Sequence, residues 1–217
     1  MNQTLTTIFA LTVACVTGTA QAQEVRGDAK AGASKVAMCI GCHGIEGYQA
    51  SFPEVHKVPM ISGQGAGYIA AALVAYQKGE RKHPTMRSIA DSLTDQDIAD
   101  VSAFYEKQVP AAAAKPVREP SVQVAELLKR GACISCHGDN FAKPIDPSYP
   151  KIAGQHADYL YVALKSYKIE KNPQVGRSNG VMAGIAQQFT NQELKQLAGY
   201  IGRLDGDLKT VPQAKFR

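Results

Sequence analysis

Cys39-Ile40-Gly41-Cys42-His43-Gly44 returns 94 residues later as Cys133-Ile134-Ser135-Cys136-His137-Gly138, and this repetition decides how the rest of the 217-residue chain is read. Moving outward from it, the register holds. Pro59-Met60-Ile61-Ser62-Gly63-Gln64 returns as Pro150-Lys151-Ile152-Ala153-Gly154-Gln155, displaced by 91. Tyr68, Leu73 and Tyr76 return at the same displacement as Tyr159, Leu164 and Tyr167, and Met86 returns as Met182 at 96. A displacement that drifts by a few residues is what loop insertions between matched elements produce, so the chain holds two homologous units in tandem. Pro110, Pro116 and Pro120 mark an extended, semi-rigid join between them. The sequence therefore divides into an N-terminal domain at 23–109, a linker at 110–120 and a C-terminal domain at 121–217.

Residues 1–22 stand outside the repeat. They carry no charged side chain, run apolar from Ile8 to Val16 and end in Ala20-Gln21-Ala22, which reads as an export signal removed after about Ala22. The absence of Lys or Arg in the first seven residues is atypical, and a buried N-terminal helix or lipidation at Cys15 are the competing readings. Export implies a periplasmic protein. It also changes the cysteine arithmetic, because five cysteines become an even four once Cys15 is gone.

Composition sets outer limits. At 45% apolar and 20% charged the chain is neither disordered nor collagen-like. No apolar run reaches the ~20 residues of a spanning helix. The net charge of +5 is too small to imply nucleic acid. It is unevenly placed: residues 23–110 carry 9 Lys/Arg against 10 Asp/Glu, and residues 111–217 carry 15 against 9.

Both units read as helical, and the fold class is all-α. Asp28 caps a helix running toward Met38, and Ser121 one running toward Arg130. Tyr68 to Lys78 and Tyr159 to Lys168 carry apolar residues at three- and four-residue spacings. Thr94-Asp-Gln-Asp97 and Thr190-Asn-Gln-Glu193 read as capping boxes opening the last helix of each unit. No segment alternates in twos for long, so no sheet is expected.

A domain of about 90 residues without Trp has a marginal core of its own. A large planar cofactor at its centre supplies the missing buried surface. C-x-x-C-H is the attachment motif of c-type haem: two thiols add across the vinyl groups and the next residue, His, lies beneath the iron. The motifs assign Cys39 and Cys42 to one covalently attached haem, with His43 as its ligand. Cys133 and Cys136 anchor a second, with His137. A four-cysteine zinc site does not require His at the same place in both halves, and a thioredoxin-like pair needs a βαβ context that is absent.

The repeat also selects the sixth ligands. Beyond Met1, the first unit offers Met38, Met60 and Met86, and the second only Met182. Met38 matches Ala132 and Met60 matches Lys151, so only Met86 and Met182 pair. Thioether ligation favours Fe(II) and raises the potential, which suits electron transfer. His56, His83 and His156 have no histidine counterparts and read as surface or packing residues. A ligating imidazole donates its other N–H to an acceptor; the carbonyls of Pro59 and Pro150 are candidates, with Pro53, Pro144 and Pro147 competing.

Met38-Cys39-Ile40-Gly41-Cys42-His43-Gly44, Tyr149-Pro150-Lys151-Ile152-Ala153-Gly154-Gln155 and the segments beginning at Met86 and Met182 together resemble the dihaem cytochromes c4, over roughly residues 25–205. The departure lies at Val58-Pro59-Met60-Ile61-Ser62, where that family has an aromatic before Pro and Ala before Gly. The resemblance implies two cytochrome c domains whose haems face each other with propionates near the domain interface. It also implies a first helix packed on the last in each domain. It further implies an electron carrier with no substrate chemistry, running from a quinol-oxidising complex towards terminal oxidases, associated at most peripherally with membrane complexes. The rival readings are an electron-accepting subunit of a dehydrogenase, like that of flavocytochrome c sulfide dehydrogenase, and a dihaem peroxidase, which needs an open haem.

Overall fold

The computed structural model describes residues 25–109 and 118–213. The expected leader with Cys15 and its cleavage point, and most of the linker, lie outside the described residues.

In the N-terminal half, Asp28 accepts from the Lys30 amide at 2.8 Å and opens α1, Ala29–Ala33. The helix expected to run on to Met38 is interrupted. Ser34 Oγ folds back onto the Ala31 carbonyl, and a new helix α2, Ala37–His43, begins after Val36. The break has a packing cause: Val36, 4% exposed, turns into the core and redirects the chain so that α2 can carry the Cys/His motif. Then follow α3, Ala66–Gln77, α4, Pro84–Asp91, and α5, Asp95–Lys107. The C-terminal half repeats this order. Ser121 caps α6, Val122–Arg130, and after it come α7, Ile134–His137, α8, Ala157–Ser166, α9, Gly180–Gln187, and α10, Asn191–Ile201. Both capping boxes form as read, with Thr94 Oγ1 accepting from the Asp97 amide and Thr190 Oγ1 from Glu193.

The expectation of no sheet needs a small correction. Two ribbons of two residues per strand are present: β1, Gln49–Ala50, with β2, His56–Lys57, and β3, Arg81–Lys82, with β4, Gly176–Arg177. Strands this short cannot show alternation. The second ribbon pairs one domain with the other, so no local pattern could announce it.

Two separate apolar cores form. Val36, Ile69, Leu73, Ile98, Val101 and Tyr105 make one, and Leu128, Phe141, Leu160, Leu194, Leu197 and Ile201 are at the centre of the other. In each domain the first and last helices pack together, α1 on α5 and α6 on α10. The first crossing is close enough to require glycine. A Cβ on Gly32 would lie 2.2 Å from the Asp100 carbonyl oxygen and 2.8 Å from Phe104 Cβ. Backbone in mid-helix cannot give way by that much, so Gly32→Ala is expected to destabilise the N-terminal domain by on the order of 3 kcal/mol. Its thermal midpoint should fall by roughly 10–20 °C, and calorimetry showing an unmoved N-terminal transition would refute the crossing as a stability determinant.

The same helix pair carries a charge network. Lys35 Nζ lies 2.7 Å from both Asp97 and Asp100 carboxylates, and the Asp28 amide donates to Asp100 at 2.7 Å. The Lys35 ammonium and then the Thr94 hydroxyl hold Asp97 down to about 2; Asp100 is lowered first by the Asp28 amide and then by Lys35. In the other domain Arg130 plays the same part toward Glu193, held at about 2. Carboxylates depressed in the fold stabilise it above their unfolded values near pH 4, and that stability drains away as pH falls toward 2. Lys35→Met is therefore expected to move acid unfolding of the N-terminal domain to higher pH, read by circular dichroism between pH 6 and 2. An unchanged acid limb would show that this pair is not its source.

Bonds from both domains meet across one interface. Besides the β3–β4 ribbon, Lys165 pairs with Glu54 at 2.7 Å, the Lys57 amide donates to Asp158 at 3.0 Å, and the Lys209 amide donates to the Ser62 carbonyl at 3.0 Å. Among the described residues no helix is long and apolar enough to cross a membrane.

Candidate functional site

None of the four motif cysteines joins another in a disulfide. Cys39 and Cys42 lie on α2; Cys133 and Cys136 bracket the first turn of α7. Burial pushes the Cys39 and Cys133 thiols up. Among the described residues no three His, Cys, Asp or Glu side chains converge as a metal-ion cage, so the two thiol pairs do not form a shared zinc site. Instead both pairs border one mostly apolar cavity of about 850 Å³ that runs continuously through both domains. His43, Met86, His137 and Met182 line it as well.

The imidazoles are held in a defined tautomer. His43 Nδ1 lies 2.8 Å from the Pro59 carbonyl oxygen, and His137 Nδ1 lies 3.0 Å from that of Pro150. A carbonyl oxygen can only accept, so each Nδ1 carries the proton and each Nε2 keeps its lone pair free for a metal. Burial lowers the pKa of both rings, which favours this neutral form. Of the competing prolines, the two at the same place in the repeat are the acceptors.

The methionines arrive from another side. Met86 lies on α4 and Met182 on α9, each at the third helical position. His83 Nδ1 accepts from the Met86 amide at 3.4 Å, and Asn179 Oδ1 accepts from the Met182 amide at 3.0 Å. His83 and Asn179 are thus equivalent N-caps, which explains a histidine whose counterpart is not one. Ala90 and Ala186, each 0% exposed, seat the two helices on their cores. Met38 and Met60 also border the cavity, but Met38 shares α2 with His43 and Met60 follows the carbonyl that holds it. Neither approaches from a separate element. His56 is buried and hydrogen-bonded to the Glu54 carbonyl, and it packs near the Tyr159 ring, as a packing residue should.

One feature of the cavity went unread in the sequence. Arg81 and Arg177 face each other across the β3–β4 ribbon. Arg81 donates to the Tyr68 and Tyr159 hydroxyls at 3.1 and 3.3 Å, and Arg177 to Tyr159 at 3.1 Å. Their guanidinium groups also lie over Tyr76, at 4.8 Å, and Tyr167, at 5.4 Å. Among the described residues neither arginine has a carboxylate at ion-pair distance, and Arg81 Nε is buried without a partner. Burial alone would raise the Tyr159 phenol, yet Arg177 and Arg81 outweigh it and pull it down, the mark of an uncompensated positive cluster. Two clustered cations at the cavity are costly unless the occupant brings anions. A haem brings two carboxylates, so the site fits that group in its thiols, its imidazoles and its charge. The sequence signal was available: Arg81 and Arg177 are displaced by 96, as Met86 and Met182 are, each arginine five residues ahead of its methionine.

Comparison with known proteins agrees with this chemistry. The profile of the family described as Cytochrome c matches residues 29–107 and again 122–205. Cytochrome c4 of Azotobacter vinelandii is 32% identical over 93% of this chain and 98% of its own length. A thiosulfate dehydrogenase electron acceptor of Stutzerimonas stutzeri strain A1501 is 31% identical over 80% of this chain and 82% of its own. The crystal structure of reduced recombinant cytochrome c4 from Pseudomonas stutzeri superposes with a TM-score of 0.62 at 29% identity, covering 82% of this chain and all of that one.

Proposed function

The chain belongs to the cytochrome c family as a dihaem member of the cytochrome c4 type, and on that premise we propose that it is a periplasmic respiratory carrier taking electrons from a quinol-oxidising complex towards terminal oxidases. The observation that carries this reading is the doubled ligand set around one cavity. Each domain presents a thiol pair, an imidazole in its ligating tautomer and a thioether on a separate helix. Cys39 and Cys42, and Cys133 and Cys136, anchor the two haems covalently. His43 and Met86 would hold one iron, and His137 and Met182 the other. Arg81 and Arg177, with Tyr68 and Tyr159, hold the propionates. The bound irons supply reversible one-electron chemistry. The chain's own part would be to offer each iron an imidazole and a thioether, to surround the cofactors with the two apolar cores, and to fix the two sites relative to each other through the interface.

A redox titration with haem quantitation tests this. Two haems per chain and two one-electron steps are expected; a single haem, or a high-spin site open to peroxide, would overturn the carrier reading. The excess of basic residues in 111–217 makes a further expectation. Transfer to an acidic partner face should slow by roughly tenfold between 0.01 and 0.15 M ionic strength. Reversing the exposed Lys129 and Lys195 to Glu should flatten that dependence. Rates indifferent to both changes would remove the charge polarity from the account.

A second reading is favoured by the relative named as a thiosulfate dehydrogenase electron acceptor: an electron-accepting subunit of a dehydrogenase complex. Purification from the native periplasm separates the two, because a stoichiometric catalytic partner supports the subunit and its absence supports the free carrier.

A further inference from the structure

Each proximal histidine leans on a peptide unit whose other end is gripped by the opposite domain. On one side His43 Nδ1–H donates to the Pro59 carbonyl at 2.8 Å. The N–H of that same peptide unit, at Met60, donates to Gln155 Oε1 at 3.0 Å, and Gln155 Nε2 returns a bond to the Met60 carbonyl at 2.8 Å. On the other side His137 Nδ1–H donates to the Pro150 carbonyl at 3.0 Å. The Lys151 N–H donates to Gln64 Oε1 at 2.9 Å, and Gln64 Nε2 donates to the Lys151 carbonyl at 2.9 Å. The backbone N–H can only donate and the carbonyl only accept, so the orientation of both side-chain amides is unambiguous. Gln64 and Gln155 are 3% and 4% exposed, and neither bonds to its own domain's histidine or to the peptide that holds it.

We infer that Gln64 and Gln155 are positioning residues that act across the interface, each setting the orientation and basicity of the proximal imidazole in the other domain. A peptide is a rigid, conjugated plane. Fixing its N–H and the next carbonyl in a two-point clamp fixes the direction of the carbonyl that the imidazole uses. Accepting a bond from its N–H also polarises the peptide and makes its oxygen a stronger acceptor, by an order of 10–30% per bond in a chain. A stronger acceptor on Nδ1–H makes the imidazole a more basic ligand and favours the oxidised iron. The clamp uses only backbone groups of the opposite domain, which is why the repeat tolerates Met at 60 and Lys at 151 while both glutamines recur.

The inference rests on the two-haem reading, so haem quantitation on the full chain comes first; a count other than two refutes that reading and not this one. The decisive variants are Gln155→Met and Gln64→Met in the dihaem protein. They are read by the His43 and His137 Nδ1–H resonances in the reduced state and by the two reduction potentials. Gln155→Met should shift the His43 resonance upfield and raise the potential of the N-terminal haem, leaving His137 in place; Gln64→Met should do the converse. The expected change is on the order of threefold in the reduction equilibrium, less than the roughly tenfold that follows loss of a direct outer partner, and about 28 mV at 59 mV per decade for one electron. Shifts confined to the variant's own domain, equal in both, or absent from both would overturn the inference. Should the Met variants lose haem or domain contact, Gln155→Glu keeps the shape and offers Met60 N–H a charged acceptor. It should then move the His43 resonance downfield and lower the N-terminal potential, and a result without that reversal overturns the inference as well.

Discussion

Replacing Cys133 and Cys136 together by serine is expected to leave one haem per chain and to abolish cooperative unfolding of the C-terminal domain. α7, capped by Cys133 and carrying Cys136 and His137, is only four residues long, too short to persist without what it holds. Half of a cavity of about 850 Å³ left unfilled would cost on the order of 10 kcal/mol at ~24 cal/mol per Å³. That is comparable with the whole stability of a domain, so collapse rather than an empty site is the outcome. Loss of the C-terminal surface also removes the Gln64, Gln155 and Lys165 contacts, so the N-terminal transition should move to lower temperature while its haem stays attached. Haem staining and calorimetry decide it. A double variant that keeps two haems, or a C-terminal domain that still unfolds cooperatively, would contradict the cofactor-centred core.

Met182→Ala should leave the fold intact and change one haem only. The site in the C-terminal domain becomes open to carbon monoxide or imidazole, and its potential falls by on the order of 0.1–0.3 V, within the roughly 0.8 V that axial ligation spans. The helix should survive, because its Asn179 cap and its buried Ala186 do not depend on the thioether. Met60→Leu is the matched control: it keeps an apolar side chain at the cavity and leaves the backbone bonds to Gln155 intact, so neither haem should become open to carbon monoxide. An unchanged spectrum in Met182→Ala would remove Met182 from the ligand set.

Much of the site was legible because covalent haem attachment is a contiguous motif and the chain writes it twice. Met86 and Met182 stand out by elimination against the repeat, and the fold brings both to the cavity. Thr94 and Thr190 emerged from short-range rules that hold wherever a helix starts. The break at Ser34 was not legible, because Asp28 and the small residues after it also suit a continuous helix. What ends α1 is the burial of Val36 in a core assembled from distant segments.

The sequence by itself determined the two units, the two Cys-x-x-Cys-His motifs and the helix-dominated class, since these follow from local chemistry and from periodicity. Tertiary structure alone decided which carbonyl holds each imidazole, that Arg81 and Arg177 share one cluster of tyrosines, and that Gln64 and Gln155 reach across rather than within their domains. The physical reason is that none of these bonds lies within one helix or local turn; the two glutamine clamps join groups 87 and 95 residues apart. Most end on backbone atoms, which every residue carries alike, so no residue type marks them until the chain has folded.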